Sequence, residues 1–322
     1  MTTDVPRPHY FHGFFRNRYS AEKHGPSLKL LKFFWRMRAV SAQGEISTPL
    51  KPDVAWLKKN RSTAALTWIG HSTFLFQKDG LNVVTDPHLT GRASPFRNAG
   101  PKRFVAPAMD FGDLPPLDLA LISHNHYDHL DADTVKRLAR EHPNLTFVVP
   151  RGLKAWFARR KMHKVVELDL WETANIGKVK VHCVPVQHFS GRTATDRNKT
   201  LWCGLILEMA DGYKLFFAGD TGYSRDFHDI GEKFAPIDLS LIPIGAYDPR
   251  WFMSPVHVNP EEAVRIHKDV GSKQSVAMHW GTFRLTLEPL DEPPEKLREA
   301  LAAAKIPEEK FWVLRHGETR RL

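Results

Sequence analysis

Asp118-Leu119-Ala120-Leu121-Ile122-Ser123-His124-Asn125-His126-Tyr127-Asp128-His129-Leu130-Asp131 is an apolar run of strand length that breaks into a turn holding three histidines and a carboxylate within six positions. Leaving a strand in a tight turn, His124 and His126 lie two apart and project the same way, so Asp128 and His129 can face a second ion nearby. Nitrogen and oxygen donors without a thiolate suit a borderline divalent cation, zinc first, with manganese or iron as substitutes. A solvated loop that is rich in histidine by chance would look the same over this short span, so the surroundings decide.

Length and composition narrow those surroundings. At 322 residues, 42% hydrophobic and 25% charged, the chain can build one large α/β domain or two ordinary ones, and disorder is excluded as the default. The formal charge of +10 implies attraction to something anionic: phospholipid headgroups, nucleic acid or a phosphorylated small substrate. The two cysteines, Cys183 and Cys203, have no paired zinc-type spacing, which removes a disulfide framework and a thiolate site and agrees with a reducing compartment. With no long apolar run and no secretory core at the N-terminus, the expectation is a cytoplasmic protein, soluble or peripheral on a membrane.

Residues 1–60 read as a basic, aromatic N-terminal extension without strand alternation, and residues 61–322 as the main domain. Within the extension, Leu28 to Arg38 places Lys29, Lys32 and Arg36 on one narrow helical face, with Leu30, Leu31, Phe33, Phe34 and Met37 filling the rest. Such a helix either lies on an anionic membrane surface or docks its apolar side on the main domain.

From residue 61 short apolar runs alternate with helical patterns, the mark of an α/β sandwich. Strands are expected at Leu66–Ile69, Thr73–Gln77, Leu81–Thr85, Asp118–Ile122, Thr146–Val149, Val179–Val186, Trp202–Glu208, Tyr213–Ala218, Asp238–Ile244, Ser275–Met278 and Phe311–Leu314. Helices are expected at Ala132–Glu141, Gly152–Lys161, Pro260–Lys268, with proline in its first turn, and Pro294–Ala303. Two halves resemble each other. In each, a hairpin turned at Asp-Gly (Asp79-Gly80, Asp211-Gly212) runs to an aspartate (Asp86, Asp220); the later stretches Asp118-Leu119-Ala120-Leu121-Ile122 and Asp238-Leu239-Ser240-Leu241-Ile242 lie 120 residues apart. The repetition implies two mixed sheets packed face to face with helices outside. Ile244-Gly245-Ala246 replaces the histidine turn in the second copy, so the metal turn occurs once.

The remaining donors fall where the fold would use them. His188, Asp220 and His279 each follow an expected strand, as the His124 turn does, and ligands in α/β folds gather at the carboxyl ends of strands. An isolated histidine is usually a satisfied core residue; four strand ends converging on one place are not. His142, His163, His182, His228 and His267 lie on helices, mid-strand or in loops without such partners and are assigned no role.

The Ser-His-Asn-His-Tyr-Asp-His turn, with Gly219-Asp220-Thr221-Gly222 and His279-Trp280-Gly281-Thr282 downstream, resembles the metallo-β-lactamase superfamily. Within it the chain is most similar to the N-acyl-phosphatidylethanolamine phospholipase D family. Arg92-Ala93-Ser94-Pro95, Gly100-Pro101-Lys102-Arg103-Phe104, Pro243 to Tyr247, Pro249-Arg250-Trp251-Phe252-Met253 and His316-Gly317-Glu318 match that family, and the resemblance covers roughly Thr67 to Glu318. Nucleases, lactonases, thioesterases and β-lactamases share the turn alone, so those extra segments carry the narrower likeness.

The resemblance implies that residues 61–322 form a metallo-β-lactamase αββα sandwich. It implies one zinc on His124, His126 and His188, a second on Asp128, His129 and His279, and Asp220 bridging both. The residue chemistry agrees: two trios of donors and a shared carboxylate leave room for a bridging hydroxide that attacks a phosphodiester. Asp128, Asp220 and His257 are the candidate catalytic residues, His257 as a contact to substrate phosphate or leaving group. Asp86 either accepts an N–H from a ligand histidine or caps the turn that follows it. Trp251-Phe252-Met253 either lines an acyl-chain path or packs under its loop. The implied reaction is hydrolysis of an N-acyl-phosphatidylethanolamine-like phospholipid to N-acylethanolamine and phosphatidic acid. The implied partners are that lipid and an anionic membrane surface, with room for a homodimer and no nucleic acid. A hydrolase of another class on the same metals, a lactonase of phosphorylated sugars or a nuclease, and a non-catalytic membrane-binding protein are the competing readings.

Overall fold

A computed structural model of the chain describes residues 8–19, 46, 48–96 and 98–322, so the helix expected over 28–38 lies outside the described residues. The elements before the metal turn are strands β1 (Tyr10–Phe11) and β2 (Phe14–Phe15), helix α1 (Val54–Lys59), strands β3 (Ala65–Gly70), β4 (Thr73–Lys78) and β5 (Leu81–Thr85), and β6 (Leu119–Leu121). After it come α2 (Ala132–Glu141), β7 (Thr146–Pro150), α3 (Lys154–Ala158), β8 (Val165–Leu168), β9 (Thr173–Ile176) and β10 (Val179–Val184). The second half holds β11 (Gly204–Glu208), β12 (Lys214–Phe217), α4 (Asp226–Phe234), β13 (Leu239–Pro243), α5 (Arg250–Met253), α6 (Pro260–Asp269), β14 (Ser275–Met278), α7 (Glu292–Ala304), β15 (Phe311–Trp312) and β16 (Thr319–Arg321).

The strands form two seven-stranded mixed sheets, β16-β3-β4-β5-β6-β7-β8 and β9-β10-β11-β12-β13-β14-β15. Their directions repeat. An antiparallel run β3-β4-β5 passes into parallel β6, β7 and β8, and an antiparallel run β10-β11-β12 passes into parallel β13, β14 and β15. The outer antiparallel strands, β16 on β3 and β9 on β10, complete the match. The 120-residue offset is therefore the period of a duplicated sheet unit. Leu121 and Leu241 occupy the same place in it, each accepting at its carbonyl the first N–H beyond the neighbouring hairpin, from Asp86 and Ala218 respectively. Asp220 thus stands two residues beyond the point equivalent to Asp86, which corrects the expectation that both carboxylates end the repeat at one place.

Local chemistry explains the punctuation. Asp79 and Gly80 both take positive φ (50° and 80°) in a two-residue link between Lys78 and Leu81, the geometry that matches the twist of paired strands. The second Asp-Gly sits in a longer loop, where Met209 and Tyr213 bond and Gly212 turns at φ 85°. Helix α6 opens on an Asn259–Glu262 capping box with Pro260 in its first turn.

Alternation along the first sheet sorts its two faces. Phe74, Phe76, Val83, Leu119, Leu121 and Val148 point into the layer between the sheets, while Leu75, Val84, Ala120, Phe147 and Val149 join a second cluster with Leu57 of α1, Val135 and Leu138 of α2 and Phe157 of α3. Helices α4, α6 and α7 pack residues such as Ile230, Val264 and Leu297 into the cluster of the other sheet. Several expected boundaries shift. The strand expected to reach Val186 ends at Val184, the one expected from Trp202 starts at Gly204, the one expected to Leu314 ends at Trp312, and the helix expected over Gly152–Lys161 contracts to Lys154–Ala158.

The described part of the N-terminal segment packs against the main sheets. Phe15 is buried in the inter-sheet cluster, and its N–H bonds the carbonyl of Asn198 at 2.8 Å. Arg18 reaches Asp226 and Asp229, each at 2.8 Å, and Asn17 Oδ1 accepts the backbone N–H of His188 at 3.0 Å.

Phe76 is fully buried between the sheets, and its ring stacks on Tyr213 of the opposite one at 6.2 Å. Phe76→Ala should lower unfolding free energy by about 3–5 kcal/mol, the range for emptying a buried aromatic site. Chemical denaturation checks this, and a loss under about 1 kcal/mol would mean that the inter-sheet layer closes without cost.

Candidate metal centre

The sheets bring the predicted donors together at their strand ends. β6 delivers Ser123 and His124, β10 leads to His188, β12 to Asp220, and β14 to His279. His124 Nε2 lies 2.8 Å from His126 Nδ1, which lies 3.2 Å from His188 Nε2. Asp128 Oδ2 lies 3.3 Å from His129 Nε2 and 3.4 Å from His279 Nε2. Asp220 Oδ2 stands between the two trios, 3.1 Å from both His129 Nε2 and His279 Nε2 and 3.9 Å from His188 Nε2.

Groups behind the donors fix their protons. Ser123 gives its hydroxyl proton to Asp86 Oδ2 at 2.5 Å, so His124 Nδ1, 2.8 Å from Ser123 Oγ, must be the N–H that donates to that hydroxyl oxygen. That leaves His124 Nε2 a bare lone pair facing the site. By the same logic His129 Nδ1–H donates to Asp86 Oδ2 at 2.6 Å, and His188 Nδ1–H to the carbonyl of Val256 at 2.8 Å. Asp86 also accepts the N–H of Ser123 at 2.8 Å. Of the two contacts expected of Asp86 the structure shows acceptance of a histidine N–H, an arrangement that orients the imidazole and raises its basicity.

The site is largely buried, and burial dominates its electrostatics. It pushes His124 well below the ordinary histidine range, helped by the charges of neighbouring histidines, and takes His126 down to about 3 and His188 to about 4. For His279 burial is outweighed by the charge of Asp220 and the hydrogen bond to Asp128, which lift it to about 9; Asp220 and Asp128 likewise hold His129 well above its usual value. Burial alone would raise Asp128 and Asp220, yet His129 and its neighbours keep both well below the usual carboxylate range. The first trio is all imidazole, whereas the second sets His129 and His279 against two carboxylates, its own Asp128 and the shared Asp220. His129 Nε2 and Asp220 Oδ1 are buried at the centre without a hydrogen-bond partner. Imidazole nitrogens packed around a buried carboxylate that keeps one oxygen unpartnered are chemically the donor set of a divalent cation, so the residues fit the implied metal.

His257, placed by sequence in a loop, is buried, with Nδ1 3.8 Å from Asp220 Oδ2 and no hydrogen-bond partner. Met253 is buried under its loop, while Trp251 and Phe252 stay half-buried with rings 5.6 Å apart. The histidines assigned no role stay apart: His142 accepts from Leu117, His182 contacts Glu208 and Thr173, His267 contacts Ser275, His228 lies near Asp269, and His163 is exposed. Sequence reasoning missed His71, whose Nε2 lies 3.0 Å from Asp128 Oδ2, although it follows β3 as His279 follows β14. It also missed His88, which with the carbonyl of the same residue holds Arg103 Nη2 in a buried layer nearby.

Fold and site together define a metal-dependent hydrolase, and the chain belongs to the β-lactamase superfamily, whose domain matches residues 81–280. It is 44% identical over 248 residues to the Caenorhabditis elegans N-acyl-phosphatidylethanolamine-hydrolyzing phospholipase D 1, covering 74% of this chain and 69% of that one. It is 38% identical over 237 residues to the mitochondrial Saccharomyces cerevisiae enzyme named for the same hydrolysis, covering 72% of this chain and 50% of that one. Among solved structures, a metallo hydrolase from Ignicoccus hospitalis superposes with a TM-score of 0.62 at 23% identity, over 81% of this chain and 99% of the other, a likeness of fold.

Asp86→Asn should weaken divalent-cation affinity roughly 10–100-fold, because an amide cannot accept from Ser123 and His129 as a carboxylate does. Calorimetric titration of metal-free protein with zinc measures it; unchanged affinity would reduce Asp86 to a packing role.

Proposed function

We propose that this chain is a phosphodiesterase of the phospholipase D type that hydrolyses N-acyl-phosphatidylethanolamine-like phospholipids to N-acylethanolamine and phosphatidic acid. The observation that carries the reading is Asp220 Oδ2, within 3.1 to 3.9 Å of nitrogens from both donor trios, a position suited to a carboxylate shared by two cations. The relatives supply the lipid.

His124, His126 and His188 would hold one cation, Asp128, His129 and His279 the other, and Asp220 both; zinc suits the donors best, with manganese or iron as substitutes. Two such cations would supply an ionised water at neutral pH and neutralise charge on the phosphodiester. Asp86, Ser123 and the carbonyl of Val256 keep the imidazole protons on the far side of the rings, so the bare nitrogens stay aimed inward. His257, buried beside Asp220, would contact a phosphate oxygen or the leaving group. The half-buried Trp251 and Phe252 offer apolar surface for an acyl chain.

The enzyme would work at an anionic bilayer. No described helix is long and apolar enough to cross a membrane. The charge of +10 and the exposed rings of Tyr10, Phe11 and Phe14, with Arg16 stacked on Phe11, favour peripheral contact.

Hydrolysis of N-acyl-phosphatidylethanolamine in oxygen-18 water containing ethanol tests the reaction. Direct attack of water at phosphorus breaks the bond to the ethanolamide oxygen and puts label into phosphatidic acid, and Asp220→Asn should lower the rate by roughly 100-fold or more. Accumulated phosphatidylethanol, label in the N-acylethanolamine, or no turnover of this lipid would overturn the proposal.

A further inference from the structure

His71 belongs to none of the functions assigned so far, yet it is buried against the second donor trio. It occupies the tight turn between β3 and β4 at φ 55°, in the left-handed region. Its backbone is held on every side. The N–H bonds Thr282 Oγ1 at 2.8 Å, and the carbonyl accepts Trp68 Nε1 at 2.9 Å and the N–H of His279 at 3.2 Å. The turn of the first sheet is thereby fastened to the segment of the second sheet that carries a donor. The ring stands 4.2 Å from the ring of His279 and 5.0 Å, edge on, from that of Phe283, which leaves it little freedom to rotate.

The proton on this ring can be placed. Nδ1 is buried and has no hydrogen-bond partner, whereas Nε2 lies 3.0 Å from Asp128 Oδ2. An N–H buried without an acceptor costs more than a bare lone pair left next to apolar rings, and a carboxylate accepts but does not donate. The proton therefore sits on Nε2 and points at Asp128. His129 and His279 each reach Asp220 Oδ2 at 3.1 Å, whereas the carboxylate that His71 meets is Asp128, so His71 acts on the trio through that side chain.

Asp128 is the donor that most needs such a hold. Its side chain is 13% exposed, while those of His129 and His279 are fully buried, so it alone of that trio can swing toward water. We propose that His71 is a positioning residue: its Nε2–H fixes the Asp128 carboxylate facing His129 and His279, and so sets the affinity of that trio for its divalent cation. This rests on the metal-site reading above.

The test is zinc affinity of the full chain, measured by competition with a chromophoric chelator, for wild type, His71→Phe and His71→Gln. Phenylalanine keeps the ring volume and removes the donor; glutamine returns an N–H at about the same reach. The expected result is a 10–100-fold loss at one of two sites in His71→Phe, the other site unchanged, and partial recovery in His71→Gln, with metal-free proteins melting within a few degrees of one another. Unchanged affinity at both sites of His71→Phe would overturn the proposal. So would equal weakening of both sites together with a lower melting temperature of the metal-free protein, the mark of general damage. A wild type that binds no divalent cation would remove the metal reading itself and this proposal with it.

Discussion

Two buried carboxylates facing opposite sides of the His129 imidazole are the constraint on which the structure depends. Asp86 holds His129 from behind, and holds His124 through Ser123, while Asp220 meets His129 and His279 from the front. An ionised carboxylate in a dry interior costs several kcal/mol unless its charge is answered, so both positions oblige the chain to bring protons or cations to them. Asp86 is answered within the protein by an N–H, a hydroxyl and an imidazole. Asp220 keeps one oxygen, Oδ1, unpartnered. The difference leaves Asp220, and not Asp86, open to a cation.

The duplicated sheet explains how one chain arrives at this arrangement. Each half ends its antiparallel hairpin next to the strand that follows in parallel, at Leu121 in one and Leu241 in the other. The first half spends that junction on Asp86 and the histidine turn. The second places Asp220 two residues further out, where it reaches across to the histidines of the first. Gly219, at φ 62°, makes the offset practicable: a side chain there would meet Ser123 Cβ at 2.6 Å. The site is thus an inter-sheet structure, with donors from the strand ends of both sheets.

Much of this was legible in the sequence for physical reasons. Strands buried on both faces read as apolar runs, and polar residues at their ends, such as His188 and His279, stand out because nothing apolar surrounds them in the chain. The 120-residue repetition of Asp-Leu-X-Leu-Ile gave the two sheets. Edge elements were harder to see: β9 alternates exposed and half-exposed positions, and β16 ends in two arginines, so neither carries a hydrophobic signal. His71 hides in a hairpin turn, where a histidine looks like ordinary punctuation until Asp128, 57 residues on, is brought to 3.0 Å. The contact of Asn17 with His188 joins residues 171 apart across a segment with no periodic pattern, and only packing reveals it.

The central claim is that seven side chains form one site for two cations. Crystals of the zinc-loaded protein, measured above and below the zinc absorption edge, test it most directly. The account predicts two anomalous peaks about 3.5–4 Å apart, one against His124, His126 and His188, the other against Asp128, His129 and His279, with Asp220 touching both. A single peak in fully active protein, or a second peak held without Asp220, would contradict it.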